Sequence, residues 1–151
     1  MAVIRRTNLT DLLIPFVLAG ALAYALLRIG YESLPAFQWF SALPIAALAV
    51  AELVVARRVR AAVRHQPQAK PMTALAIARA VALGKATALV AAVVAGAAAA
   101  LVLKLLPASG QANTAGHDLR VGYLLLVVTA VLLGAGLVLE RAGVDPRHGR
   151  G

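Results

Sequence analysis

Residues 74–106 read ALAIARAVALGKATALVAAVVAGAAAALVLKLL. Between Lys85 and Lys104 stand eighteen residues, Ala86 to Leu103, with no charge and with Thr87 as the only polar side chain. An uninterrupted apolar run of about 18 residues or more is long enough to cross the hydrocarbon core of a bilayer as a helix. Arg79 and Lys85 mark one end of that helix and Lys104 the other. The stretch sets the class of the whole chain: an all-α integral membrane protein.

Composition points the same way. Hydrophobic residues make up 62% of the 151 and charged residues 14%, far from the mix of a water-soluble domain. The net charge of +9 does not make a nucleic-acid partner, because the basic residues flank apolar spans and form no continuous patch. The absence of cysteine removes disulfides, thiolate metal sites and thiol nucleophiles. The length accommodates one helical unit.

Working outward, three more apolar segments appear. The expected spans are about 12–27, 40–56, 78–104 and 121–139, a single four-helix transmembrane domain over 1–142. A disordered cytoplasmic tail, 143–151, follows. Asp11 suits the start of the first helix, with Thr7, Asn8 or Thr10 as its cap. Two readings of the first span compete. It is either an uncleaved helix, or a signal peptide cut near Ala21-Leu22-Ala23; its apolar run continues through Leu27, which favours the helix.

Placing the N-terminus in the cytoplasm puts eleven basic residues inside and three (Arg28, Lys104, Arg120) outside. The positive-inside rule then sets both termini of the multi-pass four-helix bundle in the cytoplasm. Tyr31, Phe37, Trp39, Phe40 and Tyr123 fall at the opposite boundary, where aromatic rings prefer to lie. On the inner side Arg57, Arg58, Arg60, Arg64 and Arg79 form a basic collar. It serves either as a topology anchor alone or also as a magnet for anionic lipid headgroups. Pro67 and Pro71 break the connection that follows.

Small residues replace hydrophobic drive where helices pack in lipid. Gly84, Ala88, Ala92, Gly96 and Ala100 recur every fourth residue and make the third helix the central packing element. One acid and one base share a depth within the membrane. Glu52 lies about 7 Å inside the Arg57 boundary and Lys85 about 9 Å inside Arg79, at 1.5 Å rise per residue. A lone charge in the bilayer costs at least about 2.5–3.5 kcal/mol. Either Glu52 and Lys85 pair, with Asp11 and Glu140 on the inner rim, or Lys85 reaches the headgroups while Glu52 meets Arg57 or water.

No catalytic constellation, cofactor motif or metal set emerges. Gly84-Lys85-Ala86-Thr87 lacks the first glycine and the hydroxyl of a phosphate-binding loop. His65, His117 and His148 fall in separate loops, and Ser33, Ser41 and Ser109 have no activating partners.

The stretch Leu75-Ala76-Ile77-Ala78-Arg79-Ala80-Val81-Ala82-Leu83-Gly84-Lys85-Ala86-Thr87-Ala88, with the Gly96 region after it, resembles the signature of an uncharacterised actinobacterial membrane family, domain of unknown function 3180. The similar layout covers about residues 7–139. The resemblance implies a four-helix protein in the plasma membrane of a high-GC Gram-positive bacterium, and it carries over no catalytic residue. Three functions remain in play. The first is a non-enzymatic accessory or scaffold protein packing against a membrane-protein partner or a second copy. The second is a small transporter or channel subunit with a Glu52/Lys85 path. A lipid-directed enzyme ranks last, for want of a nucleophile, metal set or carboxylate pair.

Overall fold

The computed structural model describes residues 7–30, 38–108 and 113–143. The 144–151 part of the expected tail lies outside these, as do Tyr31 and Phe37 of the aromatic boundary. Four long helices account for almost all the rest: α1 (Leu9–Gly30), α2 (Ala42–Val63), α3 (Ala74–Leu105) and α4 (Asn113–Ala142). All four are long and apolar enough to cross a membrane.

The start of α1, the end of α2 and both ends of α3 carry local signals, and α1, α3 and α4 outrun the expected spans at both ends. Asp11 Oδ2 accepts a bond from the Asn8 backbone N–H at 3.0 Å, one half of a capping box at the start of α1. Thr73 caps α3, its hydroxyl accepting from the Ala76 N–H at 3.2 Å. A 3-10 turn at Leu106–Ala108 ends α3 where Pro107 enters. The start of α2 is later than expected: Phe40 belongs to a 3-10 turn, Trp39–Ser41, that precedes it. Pro44 is tolerated inside α2 because it sits in the first turn, where its missing N–H had no partner. At the other end of α2 the His65 N–H bonds to the Ala62 carbonyl and the Gln66 N–H to the Ala61 carbonyl, both at 3.2 Å. That is a Schellman stop, with His65 at φ 50° in the place glycine usually takes.

Helices α3 and α4 form the centre. α1 packs on α3, α2 packs on α4, and α2 touches α3 only lightly. In the most apolar stretch of α3, 56% of residues are buried inside the protein, against 11% in α1. The outer face of α1, with Leu13, Ile14, Val17, Leu18 and Leu22 exposed, is a surface suited to lipid tails. Register fixes directions. Leu12 clusters with Ala88 and Ala92, and Leu27 with Ala100 and Leu101, so α1 and α3 run parallel. Gly84 meets Gly136 while Gly122 meets Val102, so α3 and α4 run antiparallel. Ala49 clusters with Leu132 and Val59 with Leu139, so α2 runs with α4. The starts of α1 and α3 and the ends of α2 and α4 therefore share one end of the molecule.

Candidate functional site at a buried carboxyl

The inner face of α2 reads Ala42, Ile45, Ala49, Glu52, Ala56, Val59, Val63, alternating steps of three and four residues. That seven-residue repeat is the seam of a coiled-coil-like contact. Every seam position but one is an alanine or a branched apolar residue. The exception is Glu52, 1% exposed. It lies between the cluster that joins Ala49 to Ala91 and Ala135 and the cluster that joins Ala56 to Ala80 and Leu139. Neither oxygen of its carboxyl accepts a hydrogen bond, although the Thr87 hydroxyl of α3 lies beside it. A buried polar group left unmatched costs about 1–3 kcal/mol, and more when charged. The position is chemically conspicuous for that reason: the packing carries a penalty that an apolar residue would avoid.

No hydrogen bond joins Glu52 to Lys85. The Thr87 hydroxyl is an α3 group beside Glu52, and Lys85 makes a polar or charged interaction of its own. Two residues along a helix is a turn of about 200°, so a shared depth does not give a shared face. Lys85 is half-buried.

The small residues of α3 are all buried: Gly84, Ala88, Ala92, Gly96 and Ala100. They do not form one straight face. Four residues rotate a helix by 400°, so each step drifts about 40°, and Gly84 and Gly96 differ by about 120°. The drift passes α3 from one neighbour to the other. A Cβ on Gly84 would sit 2.7 Å from the Gly136 carbonyl oxygen of α4, whereas one on Gly96 would overlap the Phe16 carbonyl oxygen of α1.

Two polar contacts were not foreseen in this form. Glu140, 3% exposed, accepts a bond from the Thr7 backbone N–H at 2.7 Å. The carboxylate of one helix thereby caps the positive start of another. Thr129 is fully buried, but its hydroxyl is bonded back to the Leu125 and Leu126 carbonyls at 2.7 and 3.1 Å. It is therefore satisfied within its own helix. Only the acidic residue at the end of an apolar run hinted at the Glu140 contact. Arg57, Arg58, Arg60, Arg64 and Arg79 are all exposed, at the end shared with Glu140. His65 follows α2 there, and His117 lies near the start of α4, at the opposite end. Among the described residues no three His, Cys, Asp or Glu side chains converge.

Residues 12–146 match the family described as protein of unknown function (DUF3180). The chain belongs to that family. No curated protein and no solved structure matches it. The match runs through all four helices of this DUF3180 chain, so the Glu52 seam, the α3 glycines and the basic end all lie within the family's extent.

Proposed function

We propose that this DUF3180 protein is a non-enzymatic, multi-pass plasma-membrane protein that packs as an accessory or scaffold against a membrane-protein partner or a second copy. The observation that carries this reading is the outer face of α4. Gly134 is the one described mid-span glycine with nothing within 4 Å of where a Cβ would lie, and Ala130, one turn earlier, is exposed. Gly20, Gly84, Gly96, Gly122 and Gly136 all face neighbouring helices of the same chain. A small-residue face left open in a span lets a second backbone approach closely. Orientation follows the charge: among the described residues seven Lys and Arg stand at the end shared by Arg57 and Arg79, and Arg28, Lys104 and Arg120 stand at the other. The first is the cytoplasmic end by the positive-inside rule.

The test is in-membrane crosslinking and co-purification of the full chain carrying Gly134→Leu. Loss of the crosslinked species with an unchanged melting temperature is expected; full retention would overturn the docking face. Gly96→Leu is unsuited to this purpose, since Gly96 is filled by Phe16.

A second reading has its own observation. The unmatched Glu52 carboxyl beside Thr87 suits a transporter or channel subunit in which Glu52 takes and releases a proton or a cation within the membrane. Glu52→Gln abolishes proteoliposome flux in that case and leaves partner crosslinking untouched in the first.

A further inference from the structure

At the basic end, the last turns of α2 and the connection to α3 enclose a cleft of about 680 Å³. Arg57 and Arg58 line it from the helix, Gln66, Gln68 and Lys70 from the connection, and Met72 contributes an apolar patch. The Schellman stop is what brings the two walls together. It turns the chain back over Ala61 and Ala62, and the Ala69 N–H then bonds to the Gln66 carbonyl at 2.9 Å. The cleft therefore has a built shape, whereas Arg60, Arg64 and Arg79 stand on the surface outside it.

Among the described residues no carboxylate pairs with the basic groups that line it. No Asp or Glu occurs from Leu53 to His117. From the elements nearby, Asp11 is engaged by the Asn8 N–H and Glu140 by the Thr7 N–H. Among the described residues Arg57, Arg58 and Lys70 have no carboxylate partner, and all three are exposed. Two guanidinium groups offer planar forks that fit phosphate oxygens in pairs, an ammonium adds a point charge, and two amides add donors. The volume lies in the range of small-ligand sites, about 300–1,000 Å³.

We propose that this cleft binds a phosphate-bearing anion, and that the phosphodiester of an anionic phospholipid supplies it. Depth favours that source. Arg57 is the first charged residue after the apolar run that ends at Ala56, so the cleft opens at the boundary between hydrocarbon and headgroups. The inference is independent of the α4 docking face.

The experiment is native mass spectrometry of the full chain in detergent with added phosphatidylglycerol or phosphatidylcholine. Wild type is expected to retain phosphatidylglycerol in preference. R57Q/R58Q/K70Q is expected to lower that retention at least tenfold. R60Q/R64Q/R79Q, which removes the same charge outside the cleft, is expected to lower it by less than threefold. Equal losses in the two triples would overturn the cleft in favour of a diffuse collar, as would equal retention of phosphatidylcholine by wild type. Glycerol 3-phosphate separates the sources: failure to displace the lipid at millimolar concentration supports the phospholipid, and displacement overturns it in favour of a soluble phosphate ester. Should the cleft triple fail to fold, K70Q alone decides, since Lys70 lies outside every helix. A threefold loss is expected, and unchanged retention overturns the proposal.

Discussion

Glu52 and His65 each break a local rule, and the two departures make opposite kinds of prediction. Glu52 sits at an apolar seam position with both oxygens unmatched. Replacing it by Leu is expected to stabilise the fold by about 1–3 kcal/mol, because an unmatched polar group is exchanged for packing volume. Unfolding of the full chain by SDS in mixed micelles measures this, and a loss of stability would mean that the carboxyl has a partner. His65 holds φ 50° at the stop of α2, a conformation that costs a side-chain-bearing residue about 1–2 kcal/mol. His65→Gly is expected to raise stability by about 1 kcal/mol in the same titration. No change there would show that the histidine ring repays its strain through the surrounding loop. At this scale the sequence was half legible. The depth of Glu52 could be counted from Arg57, but the Thr87 hydroxyl beside it could not be foreseen, because depth is linear while facing depends on rotation about the helix.

Helix pairing turns on where glycines lie relative to one another, and α4 supplies a comparison within a single turn. Gly136 faces Gly84, its Cβ position 2.7 Å from the Gly84 carbonyl oxygen, whereas Gly134 faces open space. Gly136→Ala is expected to cost about 1–3 kcal/mol through overpacking of the α3–α4 crossing, and Gly134→Ala to stay within about 0.5 kcal/mol of wild type. Thermal melts of the two single variants check this, and similar midpoints would contradict the crossing. The four-residue spacing from Gly84 to Ala100 was visible in the chain and marked α3 as central. Its division between two neighbours was visible too, through the 40° drift of each step, but only to a reader who already knew that both α1 and α4 were there to receive it. The same holds for the seam of α2. Ala42 to Val63 carries an unbroken seven-residue repeat, which the surrounding apolar residues disguise in a span whose lipid face is as hydrophobic as its packed one.

For the whole molecule the strongest consequence concerns sidedness. Parallel α1 with α3 and parallel α2 with α4, each pair antiparallel to the other, place Thr7, Arg64, Thr73 and Ala142 at one end. That arrangement follows from packing alone, without reference to charge. Basic residues then accumulate at the same end: Arg57, Arg58, Arg60, Arg64, Lys70, Arg79 and Arg141. Two independent lines, steric register and charge asymmetry, thus agree on which helix ends belong together, and the positive-inside rule adds only the name of the compartment. The absence of cysteine makes the orientation directly measurable, because a single introduced thiol labels without background. In intact cells, Gln38→Cys, just before the Trp39–Ser41 turn, is expected to react with a membrane-impermeant maleimide. Gln66→Cys, just after the end of α2, is expected to react only once the membrane is opened. The reverse pattern would invert the molecule and expose the basic cleft to the outer leaflet. Labelling of both sites from outside would show that α2 does not cross the bilayer. Because α2 lines the cleft with Arg57 and Arg58 and carries Glu52 five residues deeper, its crossing fixes the depth of both.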